Sequence, residues 1–428
     1  MEPTAATNRP RRATRAEVAR TVAGDGATVY ILHNPDADSY LQIDERNFFL
    51  WEQMDGEHDL GAIAVAYMRQ FGALPLDRLD ALIGQLTANA LLEGADPVPR
   101  RAPPAEPASR MARVEATAFQ REFDWEGADA FFGGLHRRVG RVFFTRPALI
   151  VLGLVAAIGF AGFLFLHRVQ DYRLFKVEDS YGAAVVVMAI ATVIVTFLHE
   201  SGHALTCKAY GRRIRKAGMM FYYGRPAFFV DVSDMWMAPR HARILVSLAG
   251  PAVNFLVASL LTIAAFWLDP STAAEVLFVA AFVAYLHGLV NLNPLLELDG
   301  YYILVDWLQI PGLRTKSFAF VKDDLPAKIR GRDRFTRQDL PYVVYGALAA
   351  AFTVLTVVLV VYFWQRELRF VVSALATGED PLSAVLVGGL AFIASTWLIV
   401  GLIARLLGWL GARRRGGDER VEGGDTAH

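Results

Sequence analysis

Two histidines and a glutamate lie within one apolar stretch, in the order His199-Glu200-Ser201-Gly202-His203. On a helix, the spacing of four residues puts both imidazoles on one face, where they can hold a single metal ion. Glu200 can take a proton from a water on that metal, and zinc lowers the pKa of such a water to about 7. These residues therefore predict zinc-dependent hydrolysis of an amide bond. Burying them in an apolar helix without a metal would be costly, which strengthens the prediction.

A third metal ligand is expected at the end of a later apolar stretch. Asp299 follows the helix-breaking pair Asn293-Pro294, so its carboxylate can turn back toward the helices. Glu297 is the rival carboxylate, and we favour Asp299 because Gly300 leaves the backbone free to aim the side chain. The predicted zinc ligands are His199, His203 and Asp299.

The composition is that of a membrane protein. Of the 428 residues, 54% are hydrophobic and 20% are charged, whereas soluble domains average nearer a quarter charged. The 43 Lys+Arg and 43 Asp+Glu cancel, which leaves no net field to attract a nucleic acid. The single cysteine, Cys207, excludes an intrachain disulfide and a multi-cysteine metal site.

Six apolar runs are each close to the ~20 residues that a bilayer requires. They lie at about 148–166, 183–206, 244–267, 274–293, 342–364 and 383–404. Lys and Arg collect before the first run, after the second, after the fourth and after the sixth. The positive-inside rule therefore predicts a multi-pass protein of the plasma membrane with both termini in the cytoplasm. In this orientation all three predicted ligands lie at the cytoplasmic ends of their spans.

The predicted fold is a polytopic α-helical membrane protein with a small α+β winged-helix-like domain in front. Residues 1–25, rich in Arg, Ala and Thr, are expected to be a disordered arm. Residues 26–95 show strand alternation followed by two amphipathic helical patterns. The prolines at the start of 96–146 predict a linker and juxtamembrane segment. Residues 147–410 then form a six-helix domain, and 411–428 a cytoplasmic tail.

The segment from Tyr40 to Gly72, "YLQIDERNFFLWEQMDGEHDLGAIAVAYMRQFG", resembles the PqqD-like peptide-recognition domain of the pyrroloquinoline-quinone pathway. The resemblance implies that residues 28–94 bind a precursor's leader peptide along a strand edge. The alternative is a generic winged helix that serves only regulation or oligomerisation.

Three motifs together resemble the site-2 protease class of intramembrane zinc metalloproteases, in its peptide zinc metalloprotease branch. They are the HExxH motif, Gly250-Pro251-Ala252-Val253-Asn254 and "NPLLELDG" from Asn293 to Gly300. The resemblance implies a zinc on His199, His203 and Asp299, with Glu200 as general base and a water in the fourth position. It also implies that Asn254 and Asn293 orient the substrate or stabilise the oxyanion. Many relatives have a second proline before Leu-Asp-Gly, so the local loop geometry stays open.

Three further features have competing interpretations. The stretch "RIRKAGMMFYYGRPAFFVDVSD" predicts a hairpin that either pairs with an unwound substrate strand or only covers the site. Cys207 is interpreted as a small buried hydrophobe rather than a fourth ligand, which would displace the water. His287 and Asn291 share a helix face and either support the ligands, line a gate or make an ordinary interhelical hydrogen bond.

The sequence therefore predicts a zinc endopeptidase that cleaves a peptide or membrane-tethered protein near the cytoplasmic face. A leader-peptide reader on the same chain points to maturation of a ribosomally made, modified peptide, because tethering raises the local substrate concentration. The alternatives are regulated intramembrane proteolysis of a membrane-bound regulator and a non-hydrolytic binding or export module. The expected partners are the substrate and the lipid bilayer, not a nucleic acid, and the expected cofactor is Zn²⁺.

Overall fold

The computed structural model describes residues 9–22, 26–94, 120–222, 225–268, 270–331 and 335–377. Their contacts form two compact units. The first contains the described residues of Met1–Ile158, Thr192–Ala258 and Ala284–Gly346. The second contains those of Gly159–Ala191, Ser259–Val283 and Ala347–His428.

The N-terminal domain begins with a three-stranded antiparallel sheet in the order β1-β2-β3. The strands are β1 (Glu17–Val22), β2 (Thr28–Asn34) and β3 (Ser39–Asp44). Their β-branched and aromatic residues suit a pleated surface with one buried face. Leu32 and Ile43 are buried on that face, and the strand that the sequence predicts at Tyr40–Asp44 is confirmed.

Three helices cover the sheet: α1 (Glu45–Glu52), α2 (Leu60–Phe71) and α3 (Leu76–Ala88). Asp44 and Asp59 cap the first two, because each side chain accepts a hydrogen bond from a backbone N–H in the first turn. Gly72 ends α2 with φ 76°, a left-handed conformation that favours glycine. The apolar faces of α2 and α3 join the sheet in one core, which confirms the two predicted amphipathic helices.

The prediction of a disordered arm over residues 1–25 is wrong for residues 9–22. Arg12 N donates to Met54 O at 2.9 Å, and Ala13 N donates to Leu91 O at 3.1 Å. Strand β1 then pairs with β2 along its whole length. Its order comes from pairing with a partner further along the chain, which an Arg- and Ala-rich composition does not reveal.

The predicted linker and juxtamembrane segment over 96–146 contains regular secondary structure from residue 120 onward. Strand β4 (Gln120–Asp124) and helix α4 (Ala128–Leu135) are followed by a π-helical turn and a short α-helical turn. β4 pairs with β5 (Lys216–Tyr222), which pairs with β6 (Arg225–Asp231) in a second antiparallel sheet. The hairpin predicted between the second and third runs is therefore confirmed, with an additional strand beside it. The proline-rich part of the predicted linker lies outside the described residues.

Five helices within the described residues are long and apolar enough to cross a membrane. Four of them are α5 (Arg146–Val169), α6 (Tyr181–Ala209), α7 (Arg240–Trp267) and α8 (Thr272–Asn291). Three shorter helices follow: α9 (Asp299–Leu308), α10 (Leu313–Ala319) and α11 (Leu325–Gly331). The fifth candidate span is Leu340–Leu359, the first part of α12 (Leu340–Thr377). The sixth predicted run, 383–404, lies outside the described residues.

The second unit consists mainly of apolar helical segments that pack against one another. A Cβ at Gly159 would lie 2.2 Å from Ser259 Cβ, so the missing side chain lets α5 approach α7 closely. Phe163 and Phe278 stack with ring centroids 4.7 Å apart. Val177, Ala184 and Val279 form a small buried cluster in the same unit.

Candidate metal centre

Three potential metal ligands converge in the first unit. His199 and His203 lie one turn apart on α6, and Asp299 is the first residue of α9. His203 Nε2 stands 3.1 Å from His199 Nε2 and 3.4 Å from Asp299 Oδ1. His199 Nε2 stands 3.0 Å from Asp299 Oδ2. The structure thus brings together the three residues that the sequence predicts as ligands.

The arrangement fits a metal ion. Ligand atoms about 2.0–2.1 Å from a tetrahedral zinc are about 3.3 Å from each other, close to the three separations here. Asp299 Oδ2 is buried and has no hydrogen-bond donor in line with it among the described residues, although His199 Nε2 is near. Three lone-pair-bearing atoms that face one another suit a cation between them. His199, His203 and Asp299 would hold it.

A backbone carbonyl fixes the ring of His203. Its Nδ1 lies 2.7 Å from Val246 O, a distance at which Nδ1–H donates to the carbonyl. This bond leaves Nε2 as the atom with a free lone pair, which is the atom that faces Asp299. Sequence reasoning missed Val246, because the contact uses a main-chain oxygen on another helix and leaves no signal in residue type.

Asn254 orients the ring of His199, as the Val246 carbonyl orients that of His203. It is fully buried, at 0% exposure, and its Nδ2 lies 3.0 Å from His199 Nδ1 and 2.8 Å from His287 Nδ1. Its Oδ1 is buried and has no hydrogen-bond partner among the residues that the structure describes. The two ends of an amide are assigned from the hydrogen-bond network, and turning this one by 180° lets Oδ1 accept from both Nδ1–H groups. His199 Nε2 is then free for a metal.

His287 and Asn291 extend this cluster along α8. Asn291 Nδ2 lies 3.2 Å from His287 Nδ1, and the rings of His287 and His199 are 5.2 Å apart between centroids. Among the interpretations that the sequence left open, this position favours support of a ligand through Asn254.

Glycines make room for the centre. A Cβ at Gly250 would stand 2.4 Å from His203 Nε2 and 2.6 Å from His199 Nε2. A Cβ at Gly202 would stand 2.9 Å from Ala249 O, so α6 and α7 cross in close contact. A Cβ at Gly300 would meet Leu292 O at 2.2 Å. Gly300 therefore permits a close approach of α9 to the end of α8, a different reason from the backbone freedom that we expected.

Glu200 contacts the hairpin. The backbone N–H of Val230, in β6, donates to its carboxylate. A cavity of about 20 Å³ beside it is lined by side chains that include Trp125, Phe197 and Phe228, and it has room for about one water. Trp125 follows β4 directly, so the unpredicted strand contributes to the surroundings of the candidate general base.

The other residues named from the sequence lie apart from the ligand atoms. Glu297 is exposed. Cys207 packs in an apolar cluster with Ile214 and Met235, and its thiol lies 3.5 Å from Arg213 O. Asn293 Oδ1 accepts a hydrogen bond from Leu295 N at 2.9 Å within its own turn.

Parts of this chain are similar in sequence to known proteins. YydH of Bacillus subtilis, provisionally named a peptide zinc metalloprotease protein, is 30% identical over 160 residues, which are 35% of this chain and 62% of YydH. Rip2 of Mycobacterium tuberculosis, provisionally named a zinc metalloprotease, is 31% identical over 41% of this chain and 78% of Rip2. This chain belongs to the zinc metalloproteases. The metalloprotease is also similar to zinc metalloprotease MJ0392 of Methanocaldococcus jannaschii, with 25% identity over 51% of this chain and 58% of that protein.

Two of these matches cover less than two thirds of the relative, namely 62% of YydH and 58% of MJ0392. No family model matches the metalloprotease sequence. No solved structure matches it.

Proposed function

We propose that the chain is an intramembrane zinc endopeptidase of the site-2 class. It would cleave a peptide or membrane-tethered protein near the cytoplasmic face of the plasma membrane, with both termini in the cytoplasm. The observation that carries the proposal is the convergence of His199, His203 and Asp299 beside Glu200, on helices apolar enough to cross a bilayer.

Each polar group at the centre has a task in amide hydrolysis. A bound zinc supplies a Lewis acid and lowers the pKa of a water. Glu200 takes the proton from the attacking water and delivers it to the leaving nitrogen. The N–H of Val230 holds the Glu200 carboxylate in place. Asn254, which is buried among the histidines, positions His199 rather than the substrate, and the amide nitrogen of Asn293 is the remaining side-chain candidate for substrate contact.

The outer edge of β6 is the proposed place for the substrate backbone. Trp125 N donates to Ala217 O at 2.7 Å, so the backbone groups of Ala217 face β4. Its partner in β6, Val230, then faces away from β5. Within the described residues no strand pairs with that edge of β6. A substrate strand added there would lie beside Glu200.

Pro226 limits this edge. It occupies the same outward register as Phe228 and Val230, and it has no N–H to donate. A substrate strand can therefore receive an N–H from Phe228 but none from Pro226, which restricts pairing to a short segment next to Glu200.

The proposed substrate class is a precursor peptide. The name of YydH describes a peptide zinc metalloprotease, and the N-terminal domain has a sheet and helices of the size expected for a PqqD-like reader. The domain would bind the leader and raise its concentration at the protease. Binding of a candidate precursor to the full chain with Glu200→Ala tests this, and failure of every co-encoded leader to bind would favour regulated proteolysis of a membrane-bound regulator.

Catalysis itself is tested with purified full-length protein. Glu200→Ala is expected to keep about one zinc per chain and to lose cleavage, because the base is removed and the ligands remain. His203→Ala and Asp299→Ala should lower the zinc content measured by elemental analysis, whereas Glu297→Gln, in an exposed carboxylate two residues away, should not. If the zinc-loaded Glu200→Ala protein still cleaves, the proposed mechanism is wrong and a different base acts.

A further inference from the structure

The N-terminal domain forms hydrogen bonds with residues on both sides of the hairpin that follows the HExxH helix. The two carboxylate oxygens of Asp38 accept from Arg215 Nε at 2.8 and 2.7 Å, and Asp38 O accepts from Arg215 Nη2 at 3.0 Å. The Tyr40 hydroxyl donates to Asp234 Oδ1 at 2.9 Å. The Arg215 guanidinium also lies 5.3 Å from the centre of the Tyr40 ring. Arg215 and Asp234 flank the two ends of the hairpin.

The Tyr40–Asp234 part of this contact is buried, whereas the Asp38 side chain that pairs with Arg215 is 53% exposed. Tyr40 is 8% exposed and Asp234 is 2% exposed. Asp234 also accepts from Arg212 Nη2 at 2.7 Å and from Arg213 N at 2.8 Å. Burial by itself would raise the pKa of Asp234, but these hydrogen bonds and the Arg212 charge lower it. A buried carboxylate that loses one of its donors is costly, so the contact favours one arrangement of the connection.

A continuous series of polar contacts joins this connection to Glu200. Arg215 N donates to Asp231 O at 3.0 Å, and Arg215 Nη1 lies 3.4 Å from Asp231 Oδ2. Arg215 thereby fastens the start of β5 to the end of β6. The residue before Asp231 is Val230, whose N–H donates to the Glu200 carboxylate.

We infer that the N-terminal domain is a clamp that positions the general base. Through Asp38 and Tyr40, the domain holds the two open ends of the hairpin strands in place. The hairpin in turn positions the carboxylate of Glu200. Asp38, Tyr40 and Arg215 are positioning residues. A tether would accelerate cleavage only of substrates that the N-terminal domain binds, whereas the clamp acts on every substrate. The catalytic part of this inference rests on the proposed function.

Two substitutions loosen the clamp without touching the metal centre. Asp38→Asn removes the charge that pairs with Arg215, and asparagine tolerates the φ of 48° at this position. Tyr40→Phe removes only the hydroxyl and keeps the ring beside His33 and Trp236. The matched control is Asp36→Asn, the same change two residues away in an exposed pair with Arg15.

The experiment uses the full-length, zinc-loaded proteins in lipid nanodiscs. The substrate is labelled casein, an unfolded protein that is not selected for binding to the N-terminal domain. We expect Tyr40→Phe to lower kcat by about tenfold with KM unchanged, since it removes a buried hydrogen bond to a carboxylate. Asp38→Asn should lower kcat by a smaller factor, because solvent screens its exposed ion pair with Arg215. Hydrogen exchange of Lys216–Asp231 should accelerate in both, with zinc content unchanged. Asp36→Asn should match the wild type in every measurement.

Two results would overturn the inference. One is wild-type exchange of the hairpin in both variants, which would mean that the domain does not hold it. The other is faster exchange with unchanged kcat, which would mean that the domain serves only as a tether. If the wild type does not cleave casein, that result counts against the proposed function, and the exchange measurement still decides whether the clamp exists.

Discussion

At the scale of single residues, the metal centre depends on positions that lack a side chain. Gly250 is enclosed by the two imidazoles, with His203 Nε2 and His199 Nε2 both within 2.6 Å of the place that its Cβ would take. Real Cβ atoms do not approach nitrogen so closely, so any side chain would push the ligands apart. The glycine of the Gly-Pro-x-x-Asn element is thus explained by space rather than by backbone conformation.

We expect Gly250→Ala to weaken zinc binding by at least about tenfold, because displaced ligands lose coordination geometry. Helix propensity alone would make the same change favourable by about 1 kcal/mol. Competition with a chelator measures the zinc affinity. Gly153→Ala is the control, since no described residue lies within 4 Å of its Cβ position on α5. Zinc affinity in Gly250→Ala equal to that of the wild type would contradict the explanation.

At the scale of elements, the hairpin and β4 shape the surroundings of Glu200 as much as α6 does. β6 donates the Val230 N–H to its carboxylate, and Trp125, after β4, lines the adjacent cavity. The backbone groups that β6 turns outward are those at Phe228 and Val230. The sequence left two roles for the hairpin, covering the site or pairing with a substrate strand. Binding of a substrate strand to this edge of β6 would distinguish them.

Val230→Pro tests the backbone donor. Proline is tolerated on an edge strand where the N–H points away from the ladder, so the sheet should persist while Glu200 loses one charge-assisted bond. We expect kcat to fall by about tenfold with zinc content unchanged. Val230→Ala keeps the N–H and serves as the control. If proline and alanine give the same kcat, the N–H of Val230 does not position Glu200.

At the scale of the whole molecule, the buried Asp234 connects the N-terminal domain to the segment between α6 and α7. Burial would raise the pKa of Asp234, but donation from Arg213 N, Arg212 and Tyr40 lowers it. A carboxyl group with a lower pKa in the folded chain than its usual value of about 4 stabilises the fold above about pH 5. That stabilisation is lost as the pH falls through the lowered pKa.

The thermal midpoints of the wild type and of Asp234→Asn should therefore differ most near neutral pH. We expect the difference to shrink below about pH 4, where the carboxyl group of the unfolded chain takes up a proton, and to be lost once the pH falls below the lowered pKa of the folded chain. Thermal scans in detergent from about pH 7 to pH 3 measure it. A difference that stays constant over this range would show that Asp234 acts through shape and not through charge.

The predicted membrane orientation has its own test. In a Cys207→Ala background, which removes the single cysteine, Ser271→Cys lies between α7 and α8 and Glu57→Cys lies in the N-terminal domain. Both positions are exposed. An impermeant maleimide added to intact cells should label Ser271→Cys and not Glu57→Cys, because the positive-inside rule places the domain in the cytoplasm. The reverse labelling would invert the topology.

Residue type and spacing determined the chemistry of this protein. The two imidazoles are four residues apart on a helix, so local geometry alone places them on one face, and an apolar run of about 20 residues has one stable solution in a bilayer. Asp299 could also be proposed, because the Asn-Pro pair ends the helix before it. The amphipathic helices α2 and α3 followed from their periodicity in the same way.

Only the tertiary structure showed which backbone and side-chain groups position the metal ligands, Glu200 and the hairpin. The sequence did not predict strands β1 and β4, because they are ordered by strands that lie elsewhere along the chain. Val246 O and the N–H of Val230 act through the main chain, which every residue has and which carries no signal in the sequence. The contact of Asp38 and Tyr40 with Arg215 and Asp234 likewise requires residues far apart in the chain to meet, and only packing in three dimensions determines which of many surface charges do so.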